Sequence, residues 1–226
     1  MAPRKPKHRK KGAFLMAKYY LIRHAESLAN VEGIYQGQTY NTGLSPRGEE
    51  QVSRLAEYFR GRNLDKIITS PLLRTMVTAR AIQKMTRASI IIEPKIIETN
   101  HGDWEGKSKN FIKDNWKKIY KDWNTNPAAV AFPGGETFLE TQKRAVDWWK
   151  KMGTGDGECA IITHDNIIRI IIANVIGLDL NNIWKFTLLP TAVTILEKTH
   201  LGEKLVLLNG TKHLDAEMLD VSAHAL

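Results

Sequence analysis

The chain has 226 residues, 42% of them hydrophobic and 25% charged, with a formal net charge of +9. That length buries one substantial core, the composition is that of a globular protein, and no stretch reaches the roughly eighteen uncharged apolar residues of a membrane span. The single cysteine, Cys159, excludes an intramolecular disulfide and a thiolate-rich metal site, and agrees with a reducing, cytoplasmic compartment.

The charge is uneven. Arg4, Lys5, Lys7, Arg9, Lys10 and Lys11 crowd residues 1–12 without an acid, which leaves the rest at about +3. With Pro3, Pro6 and no apolar run, residues 1–17 read as a disordered basic tail before a single domain over 18–226. Ala13 to Ala17 is too short an apolar stretch for a secretory signal. A solvated extension is the plain reading of the tail, and a weak contact with nucleic acid or an anionic membrane is the alternative.

Lys18 to Ile22 reads as a buried strand that stops at Arg23-His24. A Gly- and Asn-rich loop follows, and Ser45-Pro46 opens a helix with Val52, Leu55, Ala56 and Phe59 as its apolar stripe, closed by Gly61. Asp65 to Thr69 is a second strand, after which Ser70-Pro71 is expected to start a helix by the same capping chemistry. Ile90 to Ile92 gives a third strand, and Ile96-Ile97 a short extended piece. From 107 to 123 the pattern is one helix, with Ile112, Trp116, Ile119 and Trp123 on its apolar side. Thr137 to Met152 is helical, Cys159 to Thr163 a buried strand, and Asn166 to Ile176 a helix. Ala192 to Leu196 and Lys204 to Leu208 close the chain as strands. Strands alternating with helices imply an α/β sandwich around a largely parallel sheet.

In such folds ligands bind at the carboxyl ends of strands. Arg23-His24, Ser70 to Arg74, Glu98 and His164 all follow strand-like segments. Guanidinium groups bind phosphate oxygens in pairs, and an imidazole kept unprotonated among cations is a nucleophile. A carboxyl group such as Glu98 supplies the proton that a leaving alkoxide needs. A metal site on His24, His101 and His164 is disfavoured, because no His-x-His or His-x3-His spacing occurs and arginines would repel a cation.

These residues fall in motifs that resemble those of the histidine phosphatases, the phosphoglycerate-mutase-like superfamily. The resemblance is carried by Leu21-Ile-Arg-His-Ala-Glu-Ser-Leu-Ala-Asn30, Tyr35-Gln-Gly37, Leu44-Ser-Pro-Arg-Gly48 and Thr69-Ser-Pro-Leu-Leu-Arg-Thr75. It continues through Glu98-Thr-Asn-His-Gly-Asp-Trp-Glu-Gly106, Pro133-Gly-Gly-Glu-Thr137 and Ile162-Thr-His-Asp-Asn-Ile-Ile-Arg169, so it spans 18 to about 214 in order. It implies a three-layer α/β sandwich on a mixed, mostly parallel sheet, with a small cap over about 100–135. It also implies a phosphomonoester hydrolase that needs neither metal nor cofactor. His24 would be the phosphorylated nucleophile, Arg23, Arg74 and His164 its clamp, and Glu98 acid and then base. Asn30, Ser27, Gln36 and Gly37 are expected near phosphate or substrate, and His101 and Trp104 at the pocket rim.

Two positions depart from the pattern. Ala25 replaces a Gly, which suits a backbone not at positive φ. Asp165 also replaces a Gly, and an anion there is expected to turn away from phosphate and cap the next helix. Only residues 107–132 separate the acid motif from Pro133, where the related mutases carry a longer cover against water. The expected reaction is hydrolysis of a small phosphorylated metabolite, a sugar phosphate or phosphoglycerate-like ester, with a cofactor-dependent mutase and an inactive scaffold as alternatives. Monomer and homodimer both stay open, with Trp184 and Phe186 fitting a core or an interface.

Overall fold

The computed structural model describes residues 16–220. The basic tail expected over 1–17 therefore lies outside the described residues up to position 15, and Ala17 already belongs to the first strand. Six strands form one mixed sheet: β1 (Ala17–Arg23), β2 (Lys66–Thr69), β3 (Ser89–Ile92), β4 (Gly157–Thr163), β5 (Val193–Thr199) and β6 (Gly202–Gly210). Their order is β3-β2-β4-β1-β5-β6, parallel from β3 to β1 and antiparallel for β5 and β6.

Helices cover both faces, and the period-two alternation of the central strands decides which side chain meets which layer. Tyr19 and Leu21 of β1, with Ile161 of β4, pack against α6 (Phe138–Lys150) and α7 (Asp165–Ile176). Tyr20 and Ile22, with Ala160 and Ile162, face Leu55 and Phe59 at α2 (Pro46–Tyr58) and Ala79 and Ile82 of α3 (Leu73–Thr86). Each fully buried Leu or Ile contributes about 1.5–3 kcal/mol, so a one-residue slip of β1 would invert both layers at once. Among the described residues, no helix is long and apolar enough to cross a membrane.

Four local expectations differ from the structure. Ser70 is not the N-cap of α3, which begins at Leu73 behind Leu72, a residue that makes no side-chain cap. The Ile96-Ile97 piece is not a strand, since Pro94–Ile96 forms a 3-10 turn capped by Glu93. The single helix over 107–123 breaks at Trp116 (φ −127°, ψ 48°) into α4 (Lys109–Asn115) and α5 (Lys117–Thr125), with Ile112 and Trp123 both buried in the core. The loop after His24 holds a one-turn helix, α1 (Leu28–Val31), formed because Ser27 and Asn30 cap each other's backbone N–H groups. Trp184 and Phe186 are partly buried against the core.

Candidate active site

β1 and β4 lie side by side in parallel, with Arg23 opposite Thr163, so His24 and His164 leave the sheet at the same level. The His24 amide donates to Thr163 O at 3.0 Å, and the two imidazole centroids are 5.3 Å apart. β2 joins from the other side of β4, where the Ser70 amide donates to Ile162 O at 3.1 Å. Main-chain pairing alone thus brings three chemically active positions to one sheet edge.

The hydrogen bonds fix the state of His24. Its Nδ1 lies 2.7 Å from Ala25 O, a carbonyl that can only accept, so Nδ1 carries the proton. Its Nε2 receives the Arg74 Nε–H at 3.2 Å, so Nε2 holds the lone pair. Arg74 is itself aimed by an Nη2 bond to Gly37 O at 2.9 Å. Arg23 is anchored through Nη1 to Leu188 O at 2.7 Å. His164 Nε2 is 2.7 Å from Ser70 Oγ, which is where the serine expected to cap α3 spends its hydroxyl.

Three buried nitrogens on these groups have no protein partner: Arg23 Nε, Arg74 Nη1 and His164 Nδ1. An unsatisfied buried donor costs about 1–3 kcal/mol, and the two guanidinium nitrogens belong to residues that line one pocket, where an anion's oxygens would satisfy them. Burial lowers the Arg74 pKa to about 10, which leaves it cationic at neutral pH. Burial, reinforced by Arg74, holds His164 well below the usual imidazole range.

The pocket between these groups is lined by Arg23, His24, Arg74, Glu98, His101 and Asp165, and by Asn30, Gln36 and Gly37 with Ile34 and Tyr35. Ser27 and His164 stand one layer back. The Ser27 hydroxyl donates to Asn30 Oδ1 at 2.9 Å, which leaves the Asn30 Nδ2 group for the pocket. Glu98 is 4% exposed, and burial pushes its carboxyl up to about 7 against the downward pull of the Thr99 N–H and Arg74. Burial drives His101 down to about 3. Its Nε2 is 3.3 Å from Asn166 Nδ2, and Phe132, Tyr35 and Trp123 surround its ring. His101 is thus an interior wall of the pocket and no rim, while Trp104 is fully buried behind it against Tyr35 and Phe132.

Ala25 is fully buried and lies outside the positive-φ residues, so its methyl is accommodated. Asp165 does not turn away. It lines the pocket 3.4 Å from Arg23 Nη1, yet Arg169 takes its Oδ2 at 2.5 Å and its Oδ1 at 3.4 Å. Arg169 is itself fixed between Trp184 and Phe186, with its charge centre 5.0 and 5.2 Å from their ring centroids. One more cation, one helical turn on, offsets the extra anion. The sequence reading did not anticipate Arg169, although an acid and an arginine four residues apart on a helix is a readable signal.

Comparisons with known proteins agree with this geometry. The sequence model of the histidine phosphatase superfamily (branch 1) matches residues 19–211. Phosphoserine phosphatase 1 of Hydrogenobacter thermophilus is 30% identical over 201 residues, covering 88% of this chain and 95% of that protein. The adenosylcobalamin/alpha-ribazole phosphatase of Escherichia coli is 27% identical over 169 residues, covering 74% of this chain and 83% of that one. A mutant phosphoserine phosphatase from Entamoeba histolytica, solved with phosphoserine, superposes with a TM-score of 0.73 at 26% identity, covering 88% of this chain and 99% of that one. A sheet edge with two histidines and two arginines, on a chain matched almost end to end, has one family to which it belongs: this protein is a member of the histidine phosphatase superfamily, branch 1.

Proposed function

We propose that the chain hydrolyses phosphomonoesters of small metabolites through a phosphohistidine at His24. The observation that carries this reading is the His24 Nε2 lone pair, set by the Nδ1 bond to Ala25 O and lying beside Arg74. Nε2 attacks phosphorus while the ester P–O bond breaks, and Arg23, Arg74 and Asn30, backed by His164, bind the phosphoryl oxygens as charge moves onto them. Glu98, with its pKa near 7, gives its proton to the departing alkoxide. It then takes a proton from the water that attacks the phosphohistidine, which releases inorganic phosphate and restores both residues.

Small phosphorylated metabolites are supported as substrates by the relatives named for phosphoserine and alpha-ribazole. Gln36, Gly37 and His101 form the walls beside the leaving group. A cytoplasmic setting is supported by Cys159, which is buried and has no second cysteine to pair with.

The test is to quench turnover of a labelled ester in alkali and map the modified residue. Label on His24, absent together with activity in a folded His24→Ala protein, is the expected result. Label on another residue, or turnover that survives His24→Ala, overturns the reading.

A further inference from the structure

We propose that Arg144, on α6, is the positioning residue for Glu98, which it fixes by gathering the backbone of the loop that carries the acid. The inference rests on the reading of Glu98 as acid and adds to it the device that holds the acid in place.

After β3 the chain makes its 3-10 turn at Pro94–Ile96 and then runs without regular structure to His101. Carbonyls in such a segment have no strand or helix partner of their own. One guanidinium collects three of them. Arg144 Nη1 donates to Lys95 O at 2.9 Å and to Ile97 O at 2.7 Å, and Nη2 donates to Glu98 O at 2.8 Å. Its remaining donors go to Glu136, Nε to Oε1 at 2.8 Å and Nη2 to Oε2 at 3.0 Å. All five guanidinium N–H groups are therefore used.

Glu136 extends the same clamp. Its Oε2 accepts the Asn100 N–H at 2.8 Å, and its own N–H donates to Asn100 O at 2.9 Å. The pair thus holds the main chain at 95, 97, 98 and 100, on both sides of the acid. The Glu98 carboxyl, by contrast, takes a hydrogen bond from its neighbour's amide, Thr99 N to Oε1 at 2.8 Å, and from no other described residue. Its position follows from where its backbone is held. A lysine has no planar fork and cannot span three carbonyls and a carboxylate.

The leaving group discriminates positioning from plain stabilisation. An alkyl phosphate expels an alkoxide that needs a proton, whereas p-nitrophenyl phosphate expels a phenolate that leaves without one. The experiment compares kcat/KM on both esters, over pH, for wild type, Arg144→Ala, Arg144→Lys and Glu98→Gln, with phosphoserine as the alkyl ester. A displaced acid should cost the Arg144 variants about 10- to 100-fold on the alkyl ester and far less on the aryl ester. Their alkyl-ester pH profiles should lose the fall above about 7 that reports Glu98.

Arg144 also lines an open groove of about 390 Å³, so free guanidinium has access to its place and should restore alkyl-ester turnover in Arg144→Ala. Equal losses on both esters, or no loss, overturn the proposal. If Arg144→Ala fails to fold, Arg144→Lys carries the same comparison. Glu98→Gln separates the two readings. If it shows no selective alkyl loss, the acid assignment fails; if it does and the Arg144 variants do not, the assignment stands and the positioning role falls.

Discussion

The pocket has two halves built by different means. On the nucleophile side, Arg23, His24 and His164 sit at the ends of β1 and β4, and paired main chain sets their spacing. On the acid side, Glu98 and His101 lie on irregular chain held by other residues' side chains: Arg144 and Glu136 from behind, Gln38 through its Nε2 bond to Glu98 O at 2.8 Å, and Glu105 across the mouth. Glu105 alone accepts the amides of Gln38 and His101, each at 2.9 Å, and that of Thr39 at 2.6 Å. The spacing in the sheet half is set by main chain, and Arg74 of α3 joins that half through its bonds to His24 Nε2 and Gly37 O. The loop half is only as good as the carboxylates and guanidinium that clasp it. Mutations should therefore divide by leaving group: losses in the sheet half strike all esters, and losses in the loop half strike esters that need the acid.

The largest effect that can break this comparison is at Arg74. Arg74→Lys keeps a charge but loses the fork that spans Gly37 O and the lone pair of His24, and should lower kcat about 10²- to 10³-fold on alkyl and aryl esters alike. A loss confined to alkyl esters would erase the distinction between the halves.

Glu98 sharpens the comparison through stability. Its folded pKa of about 7 lies above the unfolded carboxyl value, so the folded state holds this proton more tightly. The corresponding stability is fully present below the unfolded value and is lost as pH rises through about 7. Glu98→Gln removes that loss and should raise unfolding free energy by about 2–3 kcal/mol at pH 8, with little change near pH 4, as read by urea denaturation. His101 and His164 act in the opposite sense. Their depressed values make the fold lose stability as pH falls below the ordinary imidazole pKa.

The smallest effect is at Glu105. Glu105→Gln leaves one acceptor oxygen where two served, and should cost about tenfold in kcat/KM on alkyl esters and less on aryl esters. A uniform loss in the same assay would place Glu105 with the sheet half.

The sheet half was legible in the sequence because strands that end in Arg-His and in Thr-His declare both the burial of the strand and the chemistry at its tip. Most of the loop half was not. The partners of Arg144 are main-chain carbonyls, which carry no sequence signature, and the segment that offers them has no period to read. Ser70-Pro71 has the local chemistry of a helix start, but α3 begins at Leu73 and the Ser70 hydroxyl lies 2.7 Å from the His164 ring. Trp116 fits a continuous helical stripe, and the break there leaves Ile112 and Trp123 both buried, with no local sequence signal for it. Asp165 beside a phosphate site looks unfavourable from its immediate neighbours alone, since the cation that offsets it, Arg169, lies one helical turn further on.

The sheet order has a consequence for how the protein is made. β1 is the first strand among the described residues, yet its neighbours are β4 and β5, which lie in the last third. A ribosome therefore releases the nucleophile and its apolar strand long before either flank exists, and β1 must wait with both hydrogen-bonding edges open. Such long-range pairing is slow and leaves a sticky edge exposed. His164 and the cover for one edge arrive together, when residues 157–163 dock, and β5 covers the other, so a nascent or clipped chain that lacks residues 157–163 has neither the second histidine nor that cover.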